Sequence, residues 1–214
     1  MIIKGNNLHF QNTNLIFMVL VAKIVTFDFM NENENPWQTT SSKVEYENAW
    51  IKVSEHKTIN AAGNDGIYGT VHYKNLAIGI IPLDEENNTW LVGQYRYPLN
   101  KYSWEICEGG CPVNTSPLAT AKRELLEELG IKAENWQELL QLHLSNSVSD
   151  ELGILYIAKN LSFHEPEPED GEVLQLKKVP FKQVFEMVMS GEITDSLSVA
   201  GILKMKILMD SGKL

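Results

Sequence analysis

Arg123-Glu124-Leu125-Leu126-Glu127-Glu128-Leu129-Gly130-Ile131 is the stretch on which the reading of this chain turns. Ser116 can cap a helix that begins here, and Pro117 suits a first turn, where its missing N–H has no partner anyway. Gly130 suits the position just past the helix end, where φ turns positive. Leu118, Ala121, Leu125 and Leu129 recur at helical spacing, which predicts a helix over 117–129 with these four as its buried stripe. On the other side Glu124 and Glu128 stand one turn apart, with Glu127 beside them. Carboxylates crowded in this way repel by roughly 0.2–0.5 kcal/mol per pair. A hard divalent cation removes that cost, and Mg²⁺ in particular is bound through carboxylates together with substrate phosphates. Taken alone, such a string reads equally well as a solvated acidic face, so its surroundings must decide.

Working outward, Gly109 lies fourteen residues before Arg123, and apolar Ile131 follows Gly130. The arrangement resembles the Nudix box, Gly-x5-Glu-x7-Arg-Glu-U-x-Glu-Glu-x-Gly-U with U apolar. Gly109, Arg123, Glu124, Leu125, Glu127, Glu128, Gly130 and Ile131 match, and Thr115 stands where the first Glu is expected. The resemblance implies a loop–helix–loop in which Glu124, Glu127 and Glu128 hold one or more Mg²⁺ ions, with Mn²⁺ as the other ion of choice. The backbone carbonyl of Glu108 would be a further ligand. It also implies that Arg123 normally grips the missing Glu, so Thr115 is expected to loosen Arg123 and slow the enzyme without abolishing metal binding. A decayed, non-catalytic nucleotide-binding module is the rival expectation that Thr115 raises.

Outside the box the sequence is similar to the ADP-ribose pyrophosphatase branch of the Nudix hydrolase family, from about Asn35 onward. Val92-Gly-Gln-Tyr-Arg-Tyr-Pro98 resembles that branch's strand ending in Gln-Tyr-Arg, which implies that Arg96 reaches the substrate phosphates with its planar fork. Ser103-Trp104-Glu105-Ile106-Cys107-Glu108-Gly109 resembles a stretch usually written Trp-Glu-Leu-Pro-Ala-Gly, with Cys107 and Glu108 as departures. Glu105 is thereby placed among the substrate-binding residues. Trp50 and Tyr68 fall at a spacing where related enzymes clamp the adenine, often across a homodimer; as residues of predicted strands they read equally as core aromatics. Residues 147–151, Ser-Val-Ser-Asp-Glu, resemble a loop whose Glu activates water, so Glu151 is the expected general base and Asp150 the second choice. Glu151, Glu127 and Arg123 make up the catalytic set. The implied fold is α/β (α+β), a Nudix α/β/α sandwich with a mixed central sheet and an N-terminal antiparallel sheet.

The rest of the sequence fits this frame. With 214 residues, 43% hydrophobic and 21% charged, the chain can bury a sizeable core. A net charge of −10 argues against nucleic acid held in a basic field. It does not disfavour a small phosphorylated ligand. Cys107 and Cys111 fit no zinc spacing and read as reduced thiols in a cytoplasmic protein. None of the five histidines shows metal spacing.

Strands are expected at 44–46, 50–53, 68–73, 76–82, 90–96, 137–144, 153–158 and 173–179, with further helices at 181–190 and 195–209. Residues 31–42 read as a polar lead-in, and 165–172 as a solvated acidic loop. The apolar run at 15–22 is too short to span a bilayer. It reads as a weak signal-like core or, preferably, as part of an extension upstream of a start at Met30. The expected organisation is an extension over 1–30, a dimerising sheet subdomain over 31–75 and a Nudix hydrolase domain over 76–214. The substrate expected is a nucleoside diphosphate sugar, ADP-ribose first and a UDP- or GDP-sugar as the alternative, with no nucleic-acid or membrane partner.

Overall fold

A computed structural model describes residues 34–167 and 173–214 of the chain. The expectations for 1–30, and for the far end of the acidic loop, lie outside the described residues. The structure is built around β4 (Asn75–Pro82) and β9 (Leu152–Phe163), which run parallel with Ala77 opposite Gly153. β7 (Cys107–Pro112) pairs antiparallel with β4, and β8 (Ile131–His143) antiparallel with β9, giving the order β7-β4-β9-β8. β4 reads as a near-continuous apolar run because both of its faces are covered.

Alternation along β4 and β9 divides the core in two. Ile78, Ile80, Ile154 and Tyr156 face α1 (Pro117–Leu129), where Ala121, Leu125 and Leu129 fill the layer. Ile81, Leu155 and Ile157 face the opposite layer, made by Phe181 and Val184 of α2 (Phe181–Met189) and Ile202 and Met205 of α3 (Ser196–Asp210). The result is the expected α/β/α sandwich. Gly130 ends α1 at φ +63°, and its N–H reaches the carbonyls of Leu125 and Leu126. A side chain there would collide with the His164 carbonyl, so the glycine is required twice over.

Two smaller antiparallel sheets flank the sandwich. One has the order β10-β5-β6, from β5 (Asn88–Arg96), β6 (Lys101–Glu105) and β10 (Gln175–Pro180). The other joins β1 (Gln38–Glu47), β2 (Ile51–Ile59) and β3 (Asp65–Tyr73) in sequence order. Here the structure departs from the sequence reading: β1 begins inside the segment expected to be a polar lead-in. Every residue of β1 is exposed, so no buried face imposes the alternation by which a strand is recognised. β8 likewise begins at Ile131 rather than 137; its first half alternates weakly, with Lys132, Glu134 and Asn135 exposed. Among the described residues no helix is long and apolar enough to cross a membrane.

Candidate active site

The acidic face of α1 forms one wall of a cleft of about 810 Å³. Burying the Leu125 stripe against β4 leaves Glu124, Glu127 and Glu128 turned toward this cleft, with Glu128 itself 6% exposed. Gly109 lies directly beneath Glu124: any Cβ at 109 would overlap its carboxylate. The absent side chain therefore lets the helix carboxylate lie over the backbone next to Glu108. An all-oxygen donor set of this kind suits a hard cation such as Mg²⁺ or Mn²⁺.

Arg123 lies across the same face, bonded to Glu127 through Nη1 and to Glu124 through Nη2. Burial works against the Arg123 charge, but the two carboxylates outweigh it and raise its pKa. The sequence reading expected Thr115 to leave Arg123 loose, but Arg123 is bonded on both sides. The Thr115 hydroxyl donates to the Pro112 carbonyl at 2.7 Å, and Arg123 is held by the helix's own acids instead. Among the described residues no three acidic, His or Cys groups converge closely enough to hold an ion as they stand. A cation would have to draw Glu124 or Glu127 away from Arg123. Below this face the fully buried Cys107 thiol is pushed well up, first by burial and then by Glu128, to which it is hydrogen-bonded.

The second wall carries Arg96, at the end of β5. Its Nε lies 3.1 and 3.0 Å from the two oxygens of Glu105, and its Nη2 donates to Oε2 at 2.5 Å, a two-donor grip that fixes the guanidinium's orientation. Glu105 is 2% exposed and does not line the cleft; it positions Arg96 from behind. Glu108 projects its side chain between the walls. Glu108 Oε1 accepts from Ser198 Oγ at 3.3 Å, and Oε2 lies 3.8 Å from Arg96 Nη2. Burial, then the neighbouring Asp195, raises the Glu108 carboxyl well above its ordinary range. Asp195 also caps α3, accepting from the Ser198 N–H at 2.7 Å. The sequence reading placed Asp195 only at a helix start, because a capping Asp and a cleft-lining Asp look the same in sequence.

Glu151 closes the third side, and burial raises its carboxyl first, with Asp195 and Asp150 adding to the shift. Asp150 does not line the cleft; it is bonded to His72 and to the Tyr73 N–H. Trp50 lines the rim and is 66% exposed, so it is not a core aromatic. Tyr68 is not brought to this cleft. Its hydroxyl donates to the Ser147 carbonyl at 2.6 Å, and its ring meets Trp37 edge-on.

A three-layer sandwich whose box helix turns three carboxylates into a cleft faced by an arginine on a buried glutamate defines a Nudix protein. The NUDIX domain family matches residues 73–195, and the chain belongs to that family. It is 34% identical over 130 residues to an ADP-ribose pyrophosphatase of Mycobacterium tuberculosis, covering 59% of this chain and 63% of that protein. The match thus spans just under two thirds of that relative. A methanol dehydrogenase activator of Bacillus methanolicus is 32% identical over 128 residues, covering 59% of this chain and 69% of that protein. Among solved structures an ADP compounds hydrolase superposes with a TM-score of 0.74 at 17% identity, over 83% of this chain and 97% of that one. That last likeness is one of fold.

Proposed function

We propose that this protein hydrolyses the pyrophosphate bond of ADP-ribose or a related nucleoside diphosphate sugar, with Mg²⁺ or Mn²⁺. The observation that carries the reading is the facing of Glu124, Glu127 and Glu128 toward Arg96 and Glu151 across one cleft. Glu124, Glu127, Glu128 and the Glu108 carbonyl would hold the ion, which when bound neutralises and polarises the diphosphate. Arg96, held in orientation by Glu105, binds the phosphoryl oxygens and shares the charge that grows on them. Glu151 takes a proton from the attacking water as its oxygen bonds to one phosphorus, and the bridging P–O bond breaks. From ADP-ribose the products are AMP and ribose 5-phosphate. The raised carboxyl of Glu151 suits a base that works near neutral pH.

Exposed Trp50 at the rim offers a stacking surface for the base, a contribution of about 1–3 kcal/mol in nucleic-acid binders. The extension over 1–30, the sheet subdomain over 31–75 and the hydrolase domain over 76–214 remain the proposed organisation. A homodimer formed through the sheet subdomain, and a cytoplasmic location, complete the reading. The all-exposed β1 supports such pairing, since an unpaired strand edge invites a partner. The 34% identity to an ADP-ribose pyrophosphatase supports the substrate class. The test is turnover of ADP-ribose, a UDP-sugar and a GDP-sugar, each with Mg²⁺ and with Mn²⁺. ADP-ribose is expected to have the highest kcat/KM. A preference for a GDP- or UDP-sugar would move the substrate but keep the chemistry. Binding without turnover of any of them would leave a nucleotide-binding module.

A further inference from the structure

The segment that carries Glu151 is docked along the N-terminal sheet. The loop closes on itself through Ser145, whose carbonyl accepts from the N–H groups of Val148 at 3.0 Å and Ser149 at 2.8 Å. It then lies beside β3, the edge strand of its sheet. Val71 donates its N–H to the Val148 carbonyl at 2.8 Å and accepts from the Asp150 N–H at 3.4 Å, and Ser149 forms a parallel bridge with Val71. The Asp150 carboxylate straddles the next two residues of β3. Its Oδ2 accepts from His72 Nδ1 at 2.5 Å and its Oδ1 from the Tyr73 N–H at 2.9 Å. Tyr68 adds its hydroxyl to the Ser147 carbonyl. Asp150 and Glu151 are adjacent, yet the first is engaged by the sheet while the second lines the cleft.

We propose that Asp150 is a positioning residue for Glu151, and that His72 and the Tyr73 N–H form the latch on which it closes. This rests on Glu151 being the general base. The Glu151 carbonyl accepts from the Leu144 N–H at 3.2 Å, beside the last β8–β9 pair, but the turn over 145–149 that leads to it has no ladder of its own. One side-chain carboxylate takes two bonds from β3, both charge-assisted because the acceptor is an ionised carboxylate. Those bonds fix the backbone at the residue before the base. The N-terminal sheet thereby gains a role in catalysis beyond the two residues, Trp50 and Tyr73, that it brings to the cleft. A base displaced by about 1 Å loses on the order of 10²-fold in rate, so a loosened latch must show in kcat. Substrate affinity, set by Arg96 and the rim, should hardly change.

The test compares wild type with Asp150→Ala, Asp150→Asn, His72→Gln and Glu151→Gln by amide hydrogen exchange and steady-state kinetics. Asp150→Ala is expected to speed exchange across 145–151 by tenfold or more, leaving β4 and β9 as protected as before. Its kcat should fall on the order of 10²-fold with KM within about twofold. Asp150→Asn keeps an acceptor for the Tyr73 N–H but turns a donor toward His72 Nδ1, so it should recover part of both losses; His72→Gln, which keeps the Tyr73 bond, should also fall between wild type and Asp150→Ala. Unchanged exchange in Asp150→Ala would overturn the latch, and a kcat loss with unchanged exchange would make Asp150 itself the base. Faster exchange with unchanged kcat would overturn the positioning role. Full activity in Glu151→Gln would overturn the general-base reading instead, and the exchange data would then stand apart from it.

Discussion

α1 presents its carboxylates from a regular helix whose opposite face is buried, whereas Glu151 ends an irregular loop that is tied to β8 through Leu144 and otherwise takes its rigidity from another sheet. On the helix wall, positions follow from the period: once Leu125 and Leu129 are in the core, Glu124 and Glu128 have nowhere to point but the cleft. On the loop wall, position follows from a few long-range hydrogen bonds to β3, made by residues 77 to 79 positions away. A wall of the first kind fails by losing chemistry, and one of the second kind can fail by losing geometry alone.

The largest effect separating the walls should come from Glu124→Gln, which removes a charge from the proposed ion site without disturbing the helix. Turnover of ADP-ribose should fall about 10³-fold, from the several kcal/mol that a bound ion contributes. Glu151→Gln should lower kcat about 10²-fold, the lower end for a general base, with little change in KM.

The pH dependence sharpens the comparison. Burial and the Asp195 charge raise Glu151 above the usual carboxylate range, and the base acts only when deprotonated. The kcat/KM should therefore rise with pH through a limb above 4.5. Asp195→Asn should shift that limb downward, because a like charge has been removed. Arg96→Lys keeps the charge but loses the fork that Glu105 grips; a drop of about tenfold in kcat/KM is expected.

Thr115→Glu offers Arg123 a third carboxylate and should change turnover by less than about tenfold, the scale of an exposed ion pair. The smallest effect lies in a turn remote from both walls. Asp84 is held at about 2 although burial raises it, because Lys178 and Asn88 bond its charged form. Its folded pKa is depressed, so the stability it contributes is present above about 4 and is lost as pH falls toward 2. Asp84→Asn should lower Tm by a few degrees at pH 7 and by less at pH 3, read by thermal melts.

How far the sequence reveals the molecule follows the same division. The helix at 117–129, its cap at Ser116 and the αL position of Gly130 were all legible, because a 3.6-residue period and a terminal glycine are local signals. The three box carboxylates, Arg96 and Glu151 stand at one cleft as the resemblance implied. Only the end of β1, at 44–46, was legible; its first half was not, since a strand exposed along its whole length has no buried face to pattern. Glu105 and Asp195 were legible as residues but not in their roles. Whether a Glu touches substrate or grips an Arg from behind depends on burial that only packing decides. The latch was hidden for a simpler reason: His72 and Asp150 are 78 residues apart.

The most direct test of the account is AMP release from ADP-ribose with Mg²⁺ or Mn²⁺, with Glu128→Gln alongside wild type and a phosphatase added to reveal monoester products. The account predicts metal-dependent release of AMP and ribose 5-phosphate by the wild type, lost in a variant whose circular dichroism is unchanged. No turnover of ADP-ribose or of other sugar nucleotides by a folded, metal-supplied wild type, with Thr115→Glu restoring it, would contradict the account and make this a protein that binds its nucleotide without cutting it.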